Sequence, residues 1–129
     1  MALTLTRELT GIDAVAEACL DVYRSTGEVA DLMTWNRLFL GESIHQTPGT
    51  PTVIVRSTRT IECVLPHRAD PADYLPGFLR MVGEEWTVRL LVHSSEIGTA
   101  HRRLRGTPIT IQPWWYDGGF VHFGRPEIP

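Results

Sequence analysis

"WTVRLLVH", residues 86–93, decides the reading of this chain. Its centre, Leu90-Leu91-Val92, is apolar at three consecutive positions. Strand side chains alternate between two faces, so an unbroken apolar run suits a strand covered on both. Strands of that kind lie inside sheets that carry helices on both faces, and they have parallel neighbours.

The flanks fit such a sheet. Upstream, "TVIVR" (52–56) and "RTIECVLP" (59–66) concentrate β-branched residues in short runs, and "RSTR" (56–59) suits a hairpin loop between them. Downstream, "TPITIQP" (107–113) alternates as a strand, with Pro108 at its start. Helical segments fill the gaps. In "HRADPADYLPGFLRMVGEE" (67–85), Asp70 is a good N-cap, Pro71 suits the first helical position and Asp73 sits near the positive helix end. Leu75, Phe78, Leu79 and Val82 form a stripe, but the ring of Pro76 crowds the carbonyl four residues back. A short turn to Tyr74 and a helix restarted at Pro76, closed by Gly83, is therefore expected. "SSEIGTAHRRLRG" (94–106) starts with serine caps, ends at Gly106 and puts Ile97, Ala100 and Leu104 on one face. Helical crossovers make parallel neighbours, so two strand-helix-strand units run from "TIECVLP" through "WTVRLLVH" to "TPITIQ".

At the N-terminal end, residues 6–27 read as a helix with Ile12, Val15, Cys19 and Val22 on one stripe. Thr10 and Asp13 are spaced as a capping box, and Gly27 is the stop. "EVADLMTWNRLFLG" (28–41) reads as a second helix through Val29, Leu32, Met33, Asn36 and Leu40, with a strand at "VADLM" as the alternative. "ESIHQTPGTP" (42–51) is a loop rich in Gly, Pro and Thr. At the other end, Tyr116-Asp117-Gly118-Gly119 reads as a turn into "FVHFG" (120–124). The expected fold class is α/β: two N-terminal helices, then a small mixed sheet with two βαβ units and a C-terminal β-hairpin. All 129 residues form one domain, with 1–41 as a helical arm and 52–129 as the core.

Composition narrows the function. Hydrophobic residues make up 43% and charged residues 21%, as in soluble globular proteins. A net charge of -3 argues against a nucleic-acid footprint. The basic group His101, Arg102, Arg103 and Arg105 lies on a predicted helix and reads as a solvated face. Cys19 and Cys63 read as buried, reduced thiols. No stretch is apolar over the length that a membrane span needs, and the expected location is cytoplasmic.

In open α/β sheets, ligands bind beyond the carboxyl ends of the parallel strands. That places His67 and Arg68 after one strand, His93, Ser94 and Ser95 after the next, and Gln112, Trp114 and Trp115 on the third. These eight are the candidate ligand-binding residues. His67 and His93 are also the candidate catalytic bases, since imidazole titrates near neutrality. A metal is not expected, because no close ligand pair such as H-x-x-x-H or C-x-x-C is present, and no cofactor is expected. The G-x-S-x-G elbow of serine hydrolases and a phosphate-binding glycine loop are missing.

From "RTIECVLPH" through "WTVRLLVHSSEIGTAHRRLRGTPITIQPWW", the chain resembles the phospholipase-D-like sensor domains of bacterial transcription regulators. The catalytic H-x-K signature of that family is absent: Ser94 and Ser95 follow His93, and Arg102 and Arg103 follow His101. The resemblance implies a non-catalytic binding domain. The expected function is thus a cytoplasmic binding or sensor module for a small molecule or a protein partner, with neither membrane nor nucleic acid as partner. The alternative is a small enzyme of specialised metabolism that uses His67 or His93 as general base. A homodimer through the C-terminal edge strand is also expected, since an exposed apolar edge tends to pair.

Overall fold

A computed structural model describes residues 11–35 and 50–129. Six strands form one sheet in chain order: β1 (Ala30–Thr34), β2 (Pro51–Val55), β3 (Thr60–Val64), β4 (Thr87–His93), β5 (Thr110–Asp117) and β6 (Phe120–Phe123). The neighbours β3, β4 and β5 are parallel, with helices α2 (Leu75–Gly83) and α3 (Ile97–Arg103) in the connections. The other pairs, β1–β2, β2–β3 and β5–β6, are antiparallel. The fold is a mixed α/β one, and its sheet is wider than two strand-helix-strand units would make it.

The N-terminal part departs from expectation. Helix α1 (Ile12–Ser25) is the only α-helix among the described residues before the sheet. The expected second helix is replaced over its first half by β1, which pairs with β2 from Ala30↔Val55 to Thr34↔Pro51. The apolar spacing of Val29, Leu32 and Met33 fits a helix, but the backbone donors and acceptors along β2 need a partner, and residues 30–34 supply it. The rest of that expected helix, including Asn36, Phe39, Leu40 and Gly41, lies outside the described residues. So does Thr10 of the expected capping box, and the helix N-cap is Gly11, without a side-chain cap. Among the described residues, α1 packs on β1, β2 and β3.

Local signals downstream act over short range. The Asp70 carboxylate accepts from the Ala72 N–H at 2.9 Å and opens a 3-10 turn, Pro71–Tyr74, after which α2 begins with Pro76 in its first turn, where the missing N–H costs nothing. The serines do not cap the next turn as expected. His93 does, its Nδ1 accepting from the Ser95 N–H at 3.2 Å. Gly118 and Gly119 have φ of 62° and 84°, the left-handed pair of a two-residue hairpin turn, and the strands pair up to Asp117↔Phe120.

Alternation divides the sheet side chains between two cores. Ile61, Cys63, Val88, Leu90, Val92 and Ile111 face α2 and α3, where they meet Phe78, Met81, Ala100 and Leu104. Val53, Val55, Val64, Leu91 and Trp114 face α1 and meet Val15, Ala16, Cys19 and Leu20. The run Leu90-Leu91-Val92 thus contributes to both cores, and all three residues are buried. Cys19 and Cys63 lie in different cores and are free thiols.

Candidate functional site

The carboxyl ends of β3 and β4 bring His67 and His93 together, with ring centres 5.0 Å apart. Each ring is held by its Nδ1. The His67 Nδ1–H donates to Glu96 at 2.8 Å, and the same carboxylate accepts the backbone N–H of Arg68 at 2.9 Å. Arg68 has φ of 63°, the left-handed geometry that turns the chain towards Glu96. The His93 Nδ1 accepts from the Ser95 N–H at 3.2 Å and lies 2.8 Å from the Ser95 hydroxyl. Ser94 and Ser95 are exposed. Trp114 stands edge-on to His93, 4.7 Å away, but is only 1% exposed and forms the back of this edge.

The other two candidates go elsewhere. Trp115 points to the opposite face, is 36% exposed and stacks on His122 with 6.0 Å between ring centres. Gln112 lies two residues before Trp114 and donates from Nε2 to the Gly124 carbonyl at 2.8 Å. Two of the four residues in the basic group are paired with acids: Arg103 holds Asp70 through two bonds of 2.6 and 3.0 Å, and His101 meets Glu127 at 2.5 Å, while Arg102 donates to Thr99 at 3.2 Å. Among the described residues, no group of three His, Cys, Asp or Glu could hold a metal ion, and no helix is long and apolar enough to cross a membrane.

Gln112 belongs to a second site. Helix α1 covers β1, β2 and β3, and leaves the same face of β4 and β5 less covered. A cleft of about 240 Å³ opens there. Its walls are Cys19, Val22 and Tyr23 of α1 and Phe123 of β6, and its floor is Glu62, Arg89 and Gln112 of β3, β4 and β5. Val22, expected on the buried stripe of α1, is instead 55% exposed at this cleft.

The floor is charged. Glu62 and Arg89 are register partners on adjacent parallel strands, and Arg89 Nη1 donates to Glu62 Oε2 at 3.2 Å. Glu62 is only 4% exposed. The Tyr23 hydroxyl donates to the same Glu62 oxygen. Burial pushes the Tyr23 hydroxyl above its usual range, and the bond to Glu62 adds to this. The Cys19 thiol is pushed up first by burial and then by the Glu62 charge, so at neutral pH it is a protonated wall rather than a nucleophile. Among the described residues, the Arg89 side chain makes one hydrogen bond, and its Nε–H is buried without a partner. Burying a pair of charges costs several kcal/mol per ion by rough estimate, and an orphan donor adds to it.

The sequence reading missed Glu62, Arg89 and Tyr23, although a signal existed. A charged residue occupies an inward position on each of two central strands, Glu62 between Ile61 and Cys63 and Arg89 between Val88 and Leu90. Each alone reads as a surface charge. Only the register sets them side by side. Compared with family models, curated proteins and solved structures, the chain finds no match.

Proposed function

We propose that the protein is a cytoplasmic binding module that takes a small molecule in the cleft between α1 and the floor of Glu62, Arg89 and Gln112. The observation that carries this reading is the ion pair. A buried pair can usually be exchanged for packed hydrophobic residues at little or no loss of stability, so folding alone does not account for it. It lies where the covering helix leaves room, and a few convergent polar groups in an otherwise apolar cleft are the usual make-up of a ligand site. The two unpaired, buried thiols agree with a reducing compartment. A non-catalytic role also agrees with the likeness to phospholipase-D-like sensor domains. The test is an amide NMR titration with a fragment library. Binding in the cleft moves the signals of Val22, Tyr23, Arg89, Gln112 and Phe123. Fragments that move only His67, Arg68, His93 and Ser95 would relocate the site, and a library without effect on either group would sink the reading.

A second reading is a small enzyme with His67 as general base. It is favoured by the bond to Glu96, which leaves Nε2 of an exposed ring as the free lone pair. Hydrolysis of activated esters should then fall at least tenfold in His67→Gln, and equal rates in both proteins would dismiss it. The edge strand β6, with Phe120 exposed, supports the homodimer. Light scattering at high concentration that gives the monomer mass would dismiss that as well.

A further inference from the structure

The floor of the cleft is lopsided in its hydrogen bonding. Glu62 is the more committed partner: its Oε2 accepts from both Tyr23 and Arg89, its carboxylate lies against the Cys19 thiol, and almost none of it is exposed. It holds Arg89 and has little left for a ligand. Tyr23 is likewise committed to Glu62, and the amide NH2 of Gln112 to Gly124. Arg89 is the unsaturated partner. A guanidinium carries five N–H donors. Among the described residues Arg89 uses one, and its side chain is 27% exposed. What the cleft lacks is therefore an acceptor, and a guanidinium fork matches the two oxygens of a carboxylate.

Charge and size narrow the class further. Arg89 is the only cation among the lining residues, so a dianion such as a phosphate monoester would lack a second one. Beside Arg89 the walls Val22 and Phe123 are apolar. At about 240 Å³ the cleft falls below the usual range for drug-sized ligands, so a short chain suits it.

We propose that the cleft binds a small linear monocarboxylic acid, its carboxylate on the free donors of Arg89 and its chain between Val22 and Phe123. This rests on the cleft being the binding site. The test is a titration of the protein at neutral pH with straight-chain acids from two to eight carbons, and with the n-alkanols and n-alkylamines of the same lengths, read at the cleft amides. The acids are expected to bind with a dissociation constant that falls about fourfold per methylene until the chain outgrows the cleft. Alkanols and alkylamines are expected to bind at least tenfold more weakly. Arg89→Met should erase the advantage of the acids over the alkanols. Val22→Trp, which narrows the cleft at an exposed position and leaves the ion pair intact, should lower the chain length at which the gain stops. Alkanols or alkylamines that bind as tightly as the acids would overturn the carboxylate assignment and leave the cleft as a binding site. The same holds if other fragments bind there and the acids do not. No compound binding at the cleft amides would overturn both.

Discussion

The two faces of the sheet differ in how they are covered. Facing α2 and α3, the side chains of β3 and β4 are Ile61, Cys63, Val88, Leu90 and Val92, all apolar and all buried. Facing α1, the same strands carry Glu62 and Arg89 beside Val64 and Leu91. Two helices cover the first face and, among the described residues, one helix covers the second. A fully covered face leaves no path for a polar group to reach solvent, so its composition is forced to be apolar. The half-covered face tolerates charge at the margin of its helix, and there a ligand can enter. The proposed cleft lies where coverage ends on a face, whereas the candidates read from the sequence gather at the ends of the strands.

That contrast can be broken most severely from inside the covered cores. Phe78 is fully buried, stacked with Tyr74 at 5.7 Å and edge-on to Trp35 at 5.0 Å. Phe78→Ala, and Trp114→Ala from the other core, should each cost about 3–5 kcal/mol in urea unfolding. A loss below about 1 kcal/mol at Phe78 would mean that the closed face is not tightly packed. Arg89→Met is next, at about 3 kcal/mol, because it leaves Glu62 buried without its cation. The estimate is taken at the low end because Arg89 is partly exposed. The double variant Glu62→Leu, Arg89→Met makes the open face resemble the closed one and should unfold within about 1 kcal/mol of the parent. If the double variant loses as much as the single one, the ion pair is structural and the ligand reading loses its main support.

Smaller effects sharpen the picture. Trp115 is adjacent to Trp114 but outside both cores, and Trp115→Ala should cost less than about 1 kcal/mol. The contrast with Trp114 tests which face each indole occupies. Smallest of all is the acid limb of stability. Hydrogen bonds from Arg103, then from the Ala72 N–H, hold the Asp70 carboxyl below its ordinary value of 3.8. A lowered folded pKa means that this contribution is present above the ordinary carboxylate range and is lost as the pH falls through the lowered value. Both partners are well exposed, so solvent screening keeps it small. Denaturation curves at a series of pH values should show a shallower acid limb in Asp70→Asn, and an unchanged limb would mean that the pair contributes nothing.

Among the candidate residues, the convergence of His67 and His93 was legible. Both follow central strands directly, and adjacent parallel strands end at the same edge. The opposite facing of Trp114 and Trp115 was legible for a similar reason, since alternation is built into any strand. The placement of Gln112 was not. It was grouped with the tryptophans by its place in the sequence, but the same alternation and the course of β6 carry it into the cleft with Phe123. Glu62 and Arg89 were hidden for the reason that hides most pairs. Their sequence separation is 27 residues, and no local pattern links them.

The sequence by itself determined what depends on a few neighbouring residues. Asp70 and Pro71 open their turn through an adjacent N–H and a fixed φ, Gly118 and Gly119 reverse the chain because they adopt positive φ without a side-chain clash, and Leu90-Leu91-Val92 marks a strand with no wet face. Tertiary structure alone decided whether residues 30–34 wind or extend, which face α1 covers and where it stops, and which charges meet beneath it. The apolar pattern of residues 29–33 satisfies either period, so local preference there is nearly balanced. The unpaired backbone along β2 is a long-range demand that the local pattern does not express, and burying that row of donors and acceptors without partners costs more than a small difference in propensity.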